Sequence, residues 1–304
     1  MIEKKVLIIK FGGLGDIILS LDSIFSIFKH HEARDIVLLT EQPYDDILKA
    51  CSWFDEIIVI KRTYFYYLDL FQINNKLSKY KFSHVYDLQT SKRTSYYLKY
   101  FSEMCSITNG IGKFAKISHD NPKRNFMHTI QRQKEQLEKC NISYRRKESF
   151  KWLEDNNVKV PKEKFALIIP GGSGKRKYKR MPLSVFKKVI DFLIYKKIKP
   201  IIIGSDDDEK ICSLLSKQNN QVVNYCSKTS IGNLLYLSKY AHLSIGNDTG
   251  PMHLIARGNK KTIVLFTKYS NPSLCAPTGK KVVILKFDND NESFLIKIKK
   301  IIED

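Results

Sequence analysis

Short apolar runs rich in Ile, Val and Leu alternate along the chain with longer stretches in which apolar residues recur every three to four positions. In the first half, residues 6–9, 36–39, 57–60 and 84–88 carry the strand pattern, and 16–29, 45–50, 66–78 and 93–101 the helical one. The strand runs are apolar almost throughout, as they are in a parallel sheet covered on both faces. A basic stretch of weak periodicity follows, 110–151, with one predicted helix at 128–139. The alternation then restarts, with strands at 165–169, 199–203, 221–224, 242–245 and 262–266 and helices at 182–195, 206–216, 231–239, 251–256 and 292–302. Two strand–helix series predict an α/β protein with two Rossmann-like, doubly wound parallel sheets. The break at 156–164 predicts domains 1–158 and 159–304, each of ordinary size. Ligands bind beyond the carboxyl ends of such strands, so two facing domains imply a cleft.

Composition adds a charge. The chain carries 52 Lys and Arg against 31 Asp and Glu, a formal net charge of +21. Such an excess suits a polyanionic partner: nucleic acid, an anionic membrane surface or a phosphorylated substrate. A solvated surface of Lys-rich composition would give the same total. No RRM, KH, zinc or helix-turn-helix signature is present, and the basic residues are dispersed, which argues against nucleic acid. The six cysteines are scattered with no CxxC, which argues against a zinc site or disulfide scaffold and fits a reducing cytosol. No apolar stretch reaches 18 residues, and the opening MIEKKVLIIKFGGLGD is too short for a signal sequence. A soluble protein is expected, in the cytoplasm, with no metal.

Three glycine-bearing turns stand where a strand gives way to a helix. In Phe11-Gly12-Gly13-Leu14-Gly15-Asp16 the dinucleotide fingerprint fails, because Ile18 occupies the place of its last glycine. Only Glu41 is placed to take the ribose role of that fingerprint. Asp16 is then either a cap complementing the helix dipole or a carboxylate facing the ligand side. Pro170-Gly171-Gly172-Ser173-Gly174-Lys175 is no P-loop, since Ile169 and Arg176 stand where Gly and Ser or Thr are required. Its amides, the Ser173 hydroxyl and the cations through Arg180 still make a diphosphate site or, failing that, a solvated basic loop. In Gly246-Asn247-Asp248-Thr249-Gly250-Pro251-Met252-His253, Asp248 or Thr249 can cap and the amides of Thr249 and Gly250 can meet an anion. His253, taken alone, reads as a structural histidine.

At these turns the sequence resembles the heptosyltransferase family of inverting glycosyltransferases, glycosyltransferase family 9, across nearly the whole chain. KVLIIKFGGLGDIILSLDSIFSIFK is similar to the family's opening strand–GD–helix segment, and YDLQTSKRTS to its D-x-Q segment. PGG…KRMP resembles its Pro-Gly…Lys-x-Trp-Pro element, GSDDDEK its Gly-x-x-x-acid turn, and GNDTGPMHLIA its D-T-G-x-x-H signature. The resemblance implies a GT-B fold and metal-independent, inverting transfer of a heptose-type sugar from an ADP-sugar to the lipopolysaccharide inner core. It implies no cofactor, a phosphorylated glycolipid acceptor and peripheral contact with the anionic inner face of the inner membrane. Carried over by position, Asp16 is the general base and Lys179 the lysine at the donor diphosphate. Asp208 or Glu209 holds the ribose hydroxyls, Thr229 sits at the adenine, and Asp248, Thr249 and Gly250 grip sugar and β-phosphate with His253 bracing them. Gly172 and Ser173 join the donor side, and Gly13, Gly15, Arg93 and Lys113 the acceptor side. The basic residues Arg62, Lys92, Lys116, Lys123 and Arg124 lie in the same half. Met181 stands where the family has Trp, and Asp22 where it often has Pro, which leaves the exact donor and subfamily open.

Overall fold

The computed structural model describes residues 4–217 and 219–304, which divide into two compact units, Met1–Leu153 and Glu154–Asp304. The junction falls between 153 and 154, ahead of the expected 158/159, because the linker is tied to the second unit. Glu154 pairs with Lys239 at 2.8 Å, and Asp155 accepts from the Ser230 hydroxyl and, through its carbonyl, from the Asn233 amide, each at 3.0 Å.

The first unit holds strands β1 (Lys5–Ile9), β2 (Ile36–Thr40), β3 (Glu56–Val59), β4 (Phe82–Asp87), β5 (Ile107–Gly110) and β6 (Ile117–Ser118). Its helices are α1 (Leu14–His30), α2 (Tyr44–Leu48), α3 (Tyr66–Leu77), α4 (Lys92–Ser102) and α5 (Thr129–Glu138). The sheet order is β3-β2-β1-β4-β5-β6, and every pairing is parallel. Val6 to Ile9 are fully buried, since helices cover both faces of the central strand. The stretch expected to be irregular after residue 110 contributes the two-residue strand β6 and a 3₁₀ turn at Arg124–Phe126.

The second unit repeats the plan with β7 (Phe165–Ile169), β8 (Lys199–Ile202), β9 (Val223–Asn224), β10 (Leu243–Asn247), β11 (Lys261–Phe266) and β12 (Val282–Lys286). Its helices are α6 (Leu183–Tyr195), α7 (Glu209–Ser216), α8 (Ile231–Tyr240), α9 (Gly250–Ile255), α10 (Pro272–Cys275) and α11 (Asn291–Glu303). The order β12-β11-β10-β7-β8-β9, again all parallel, is the first sheet's order with the new strands renumbered. Both sheets therefore reverse direction beside their first strand, between β1 and β4 and between β7 and β10. The carboxyl ends at such a reversal are where open α/β sheets bind ligands. All three glycine turns lie there.

Candidate functional site

In the first unit the turn after β1 is held from two sides. Gln89 Oε1 accepts the Phe11 N–H at 3.1 Å and Glu41 Oε1 accepts the Gly12 N–H at 2.9 Å. Arg62 fixes Glu41 in turn, its Nε 2.6 Å from Oε2, and lies over the Phe11 ring at 5.4 Å. Glu41 thus orders the turn and is not free for a ribose. Gly12 has φ 72° and Gly13 φ 20°, values that disfavour a side chain. Beyond β4, Asp87 is buried and its Oδ1 accepts the N–H groups of Gln89 and Thr90, both at 3.0 Å. This shapes the loop that delivers Gln89. Burial pushes the Asp87 carboxyl up to about 6.

Asp16 occupies the third position of α1, whose N-cap is Gly13 with no side-chain cap bond. It is exposed, and among the described residues no hydrogen bond or ion pair engages its carboxylate. That carboxylate lies over Gly13, where an added Cβ would come within 2.7 Å of Oδ2. Beneath it Lys10 is buried and donates to the Leu88 carbonyl at 3.4 Å. Burial lowers the Lys10 pKa, while the charges of Asp16 and Asp87 act to raise it. Gly15 is the second residue of α1, so it contributes backbone at the same turn.

Arg93 has a partner of its own. Its Nη1 donates to Asp69 Oδ2 and to the Thr63 carbonyl, both at 2.7 Å. Asp69 is fully buried and also accepts from the Tyr97 hydroxyl and from the Thr63 N–H. The side chain is still 28% exposed, so an anion could reach it only beside this pair. Lys113 is exposed, with Nζ 5.1 Å from the Phe114 ring.

In the second unit the loop after β7 and the loop after β10 are joined by Asn247. Its Nδ2 donates to the carbonyls of Pro170 and Gly171 at 2.7 and 3.0 Å, and its Oδ1 accepts the Met181 N–H at 3.0 Å. Met181 packs into the core. Lys179 reaches across to Asp248, Nζ to Oδ2 3.0 Å. Asp208 is buried and fully occupied: Oδ1 accepts from the Gly172 N–H at 3.2 Å and from Arg180 at 2.9 Å, and Oδ2 from Ser205. A Cβ on Gly171 would sit 2.2 Å from the Asp208 carboxyl carbon, which is why glycine stands there. Of the two acids proposed for the ribose, Asp208 orders the glycine loop, whereas Glu209 is exposed on the first turn of α7.

Gly172 and Thr249 touch, with only 3.1 Å between a Cβ on the first and the methyl of the second. The Thr249 hydroxyl is buried, and among the described residues it has no hydrogen-bond partner, a cost normally avoided. Gly250 opens α9, and His253 is buried within it. Ser173 is exposed ahead of the cationic 3₁₀ stretch Gly174–Lys179. Thr229 is half-buried just before α8, which Ser230 caps. Among the described residues, no three His, Cys, Asp or Glu side chains gather in a way that could hold a metal, and no helix is long and apolar enough to cross a membrane.

Gln89, Asn247 and Lys10 were not singled out as functional from the sequence, and Glu41 was singled out for a ribose and not for the turn it holds. Gln89 lies in the D-x-Q segment and Asn247 beside the D-T-G signature, so the signal was the motif itself.

Known structures share this two-sheet plan. E. coli ADP-heptose lps heptosyltransferase II superposes with a TM-score of 0.72 at 14% identity, covering 98% of each chain. E. coli heptosyltransferase WaaC with ADP gives 0.78 at 16% identity, covering 98% of this chain and 99% of that one. The fold is therefore the two-domain α/β fold of the GT-B glycosyltransferases. The model of glycosyltransferase family 9 (heptosyltransferase) matches residues 71–300, and the chain belongs to that family. Among curated relatives, lipooligosaccharide heptosyltransferase 2 of Campylobacter jejuni is 31% identical over 144 residues, 45% of this chain. The match spans 44% of that relative's length.

Proposed function

We propose that the protein is an inverting glycosyltransferase that moves a heptose-type sugar from an ADP-sugar to a phosphorylated lipopolysaccharide inner-core acceptor, with no metal in the reaction. Family membership supports the class. The observation that carries the donor side is the loop edge of the second unit, where Lys179 is aimed by Asp248 beside the buried Thr249 hydroxyl, which has no partner among the described residues. A nucleoside diphosphate leaves with growing negative charge. Lys179, the neighbouring cations and the amides of Thr249 and Gly250 are suited to take it up. Glu209 is left to meet the ribose hydroxyls, and Thr229 the adenine.

On the acceptor side, Asp16 takes the proton of the attacking hydroxyl in a single displacement through an oxocarbenium-like transition state. Its open carboxylate, without a hydrogen bond among the described residues, suits that role better than helix capping. Buried Lys10 interacts electrostatically with it, and the clamps from Gln89 and Glu41 hold the turn.

A thermal-shift panel tests the donor class, because a ligand bound only by the native state stabilises it. Saturating ADP is expected to raise Tm by roughly 5 °C or more, with UDP, GDP and NADH giving little shift. In Lys179→Ala the ADP shift should shrink. Equal shifts with all nucleotides, or none with ADP, would remove the ADP-sugar reading.

A further inference from the structure

The first unit shows a surface that neither sugar transfer nor folding explains. Tyr64, Phe65, Tyr66, Tyr67 and Leu68 are five consecutive large apolar residues, and all are exposed; Tyr64 is 89% accessible, and Phe71, one turn beyond Tyr67, is 66%. The inward side of α3 is already satisfied by Asp69, Ile73 and Leu77. Tyr67, Leu68 and Phe71 therefore form a second, outward apolar face. Single exposed apolar residues need no account, but a contiguous patch does.

The patch is ordered. Phe65 stacks on Tyr67 at 5.6 Å and meets Tyr64 edge-on at 5.1 Å. Tyr66 stacks on Tyr96 of α4 at 4.9 Å, and Tyr96 reaches Phe114 at 5.9 Å. The loop carrying these rings is pinned from beneath, where Arg93 bonds the carbonyls of Thr63 and Tyr64 and Asp69 binds the Thr63 N–H. The Arg93–Asp69 ion pair, buried at its Asp69 end, thus acts as a mount for the aromatic strip.

Charge decides what covers it. Between residues 61 and 101 the only carboxylates are Asp69 and Asp87, both fully buried, and Glu103, at the end of α4, is exposed. The same span holds eight Lys and Arg, and Lys99 and Lys113 stand over the Phe114 ring at the strip's end. Tyr and Phe rings bordered by cations, with Glu103 the one exposed carboxylate between residues 61 and 114, match the interface of an anionic bilayer, where rings sit at headgroup depth and lysines meet lipid phosphates.

We infer that this aromatic strip on α3 and α4 docks the protein on an anionic membrane surface by shallow insertion of Tyr64, Phe65, Tyr67 and Phe71. The inference deepens the reading of a lipid-borne acceptor by naming the face that meets its membrane. The test is flotation with vesicles of phosphatidylcholine alone or mixed with phosphatidylglycerol, without nucleotide or acceptor. The full chain should float with the mixed vesicles, less so in high salt, and hardly with phosphatidylcholine. Combined Tyr64→Ser, Phe65→Ser, Tyr67→Ser and Phe71→Ser should lower the bound fraction by about tenfold or more with Tm and the ADP shift unchanged. Tyr64→Trp should keep binding and show a blue-shifted emission on mixed vesicles. Unaltered flotation of the serine variant overturns the inference. So does a wild-type chain that ignores both vesicles, or one that dimerises through the strip without binding lipid. Nucleotide selectivity is read in a separate assay, so failure of the donor reading and failure of this one are distinguishable.

Discussion

Asp16→Ala is expected to lower turnover by roughly 10²–10⁴-fold, the usual contribution of a positioned general base, while ADP stabilises the variant as it does the wild type. The structural cost should be small. Asp16 is exposed on the first turn of α1 and engages no partner among the described residues. Its favourable interaction with the helix N-terminus is worth about 0.3–1 kcal/mol. A large kinetic loss with a small change in Tm would separate catalysis from capping. A variant that turns over at the wild-type rate would leave Asp16 as a helix-end charge and remove the base from the mechanism.

The largest effect on stability is expected from Asp69→Ala. Asp69 is fully buried, and four donors converge on it: the Thr63 N–H at 2.8 Å, the Thr63 hydroxyl at 2.9 Å, Arg93 at 2.7 Å and the Tyr97 hydroxyl. Burial also holds the Tyr97 hydroxyl in its neutral, donating form by raising its pKa. Removing the carboxylate strands the guanidinium, the phenol and an N–H together. Breaking one side of a buried pair costs about 3–5 kcal/mol, which in a unit of this size lowers Tm by roughly 6–20 °C. Thermal unfolding followed by circular dichroism measures it. A fall of only a degree or so would show that the network is incidental.

Most of the fold was legible because parallel strands buried on both faces are short and continuously apolar, as in Val6–Ile9 and Phe165–Ile169. What escaped lies at the sheet edges. β5 is four residues that include Asn and Gly, β6 is two residues, and β12 is half-buried throughout save for an exposed last residue. β5 and β6 are too short and polar to carry the strand pattern, whereas the apolar run Val282–Leu285 of β12 did carry it and was passed over. The three glycine turns were legible as strand-to-helix turns, and both sheets place them at the reversal of strand order. The ambiguity at Asp16 could not be resolved from spacing, because it depends on Gly13 serving as the N-cap and leaving the carboxylate unengaged. Arg93 was expected to meet an acceptor phosphate. The sequence could not show that Asp69, on α3 with strand β4 intervening, faces it in the fold. That Asp208 is engaged by Arg180 and Gly172 likewise could not be read from spacing, since only the folded loop brings these partners together.

Transfer itself tests the central claim most directly. ADP-heptose and a Kdo-bearing lipid A acceptor, incubated with the full chain, should give an acceptor heavier by one heptose, and NMR of the product should show the anomeric configuration opposite to that of the donor. A product with retained configuration, or no mass gain although ADP binds, would contradict the account.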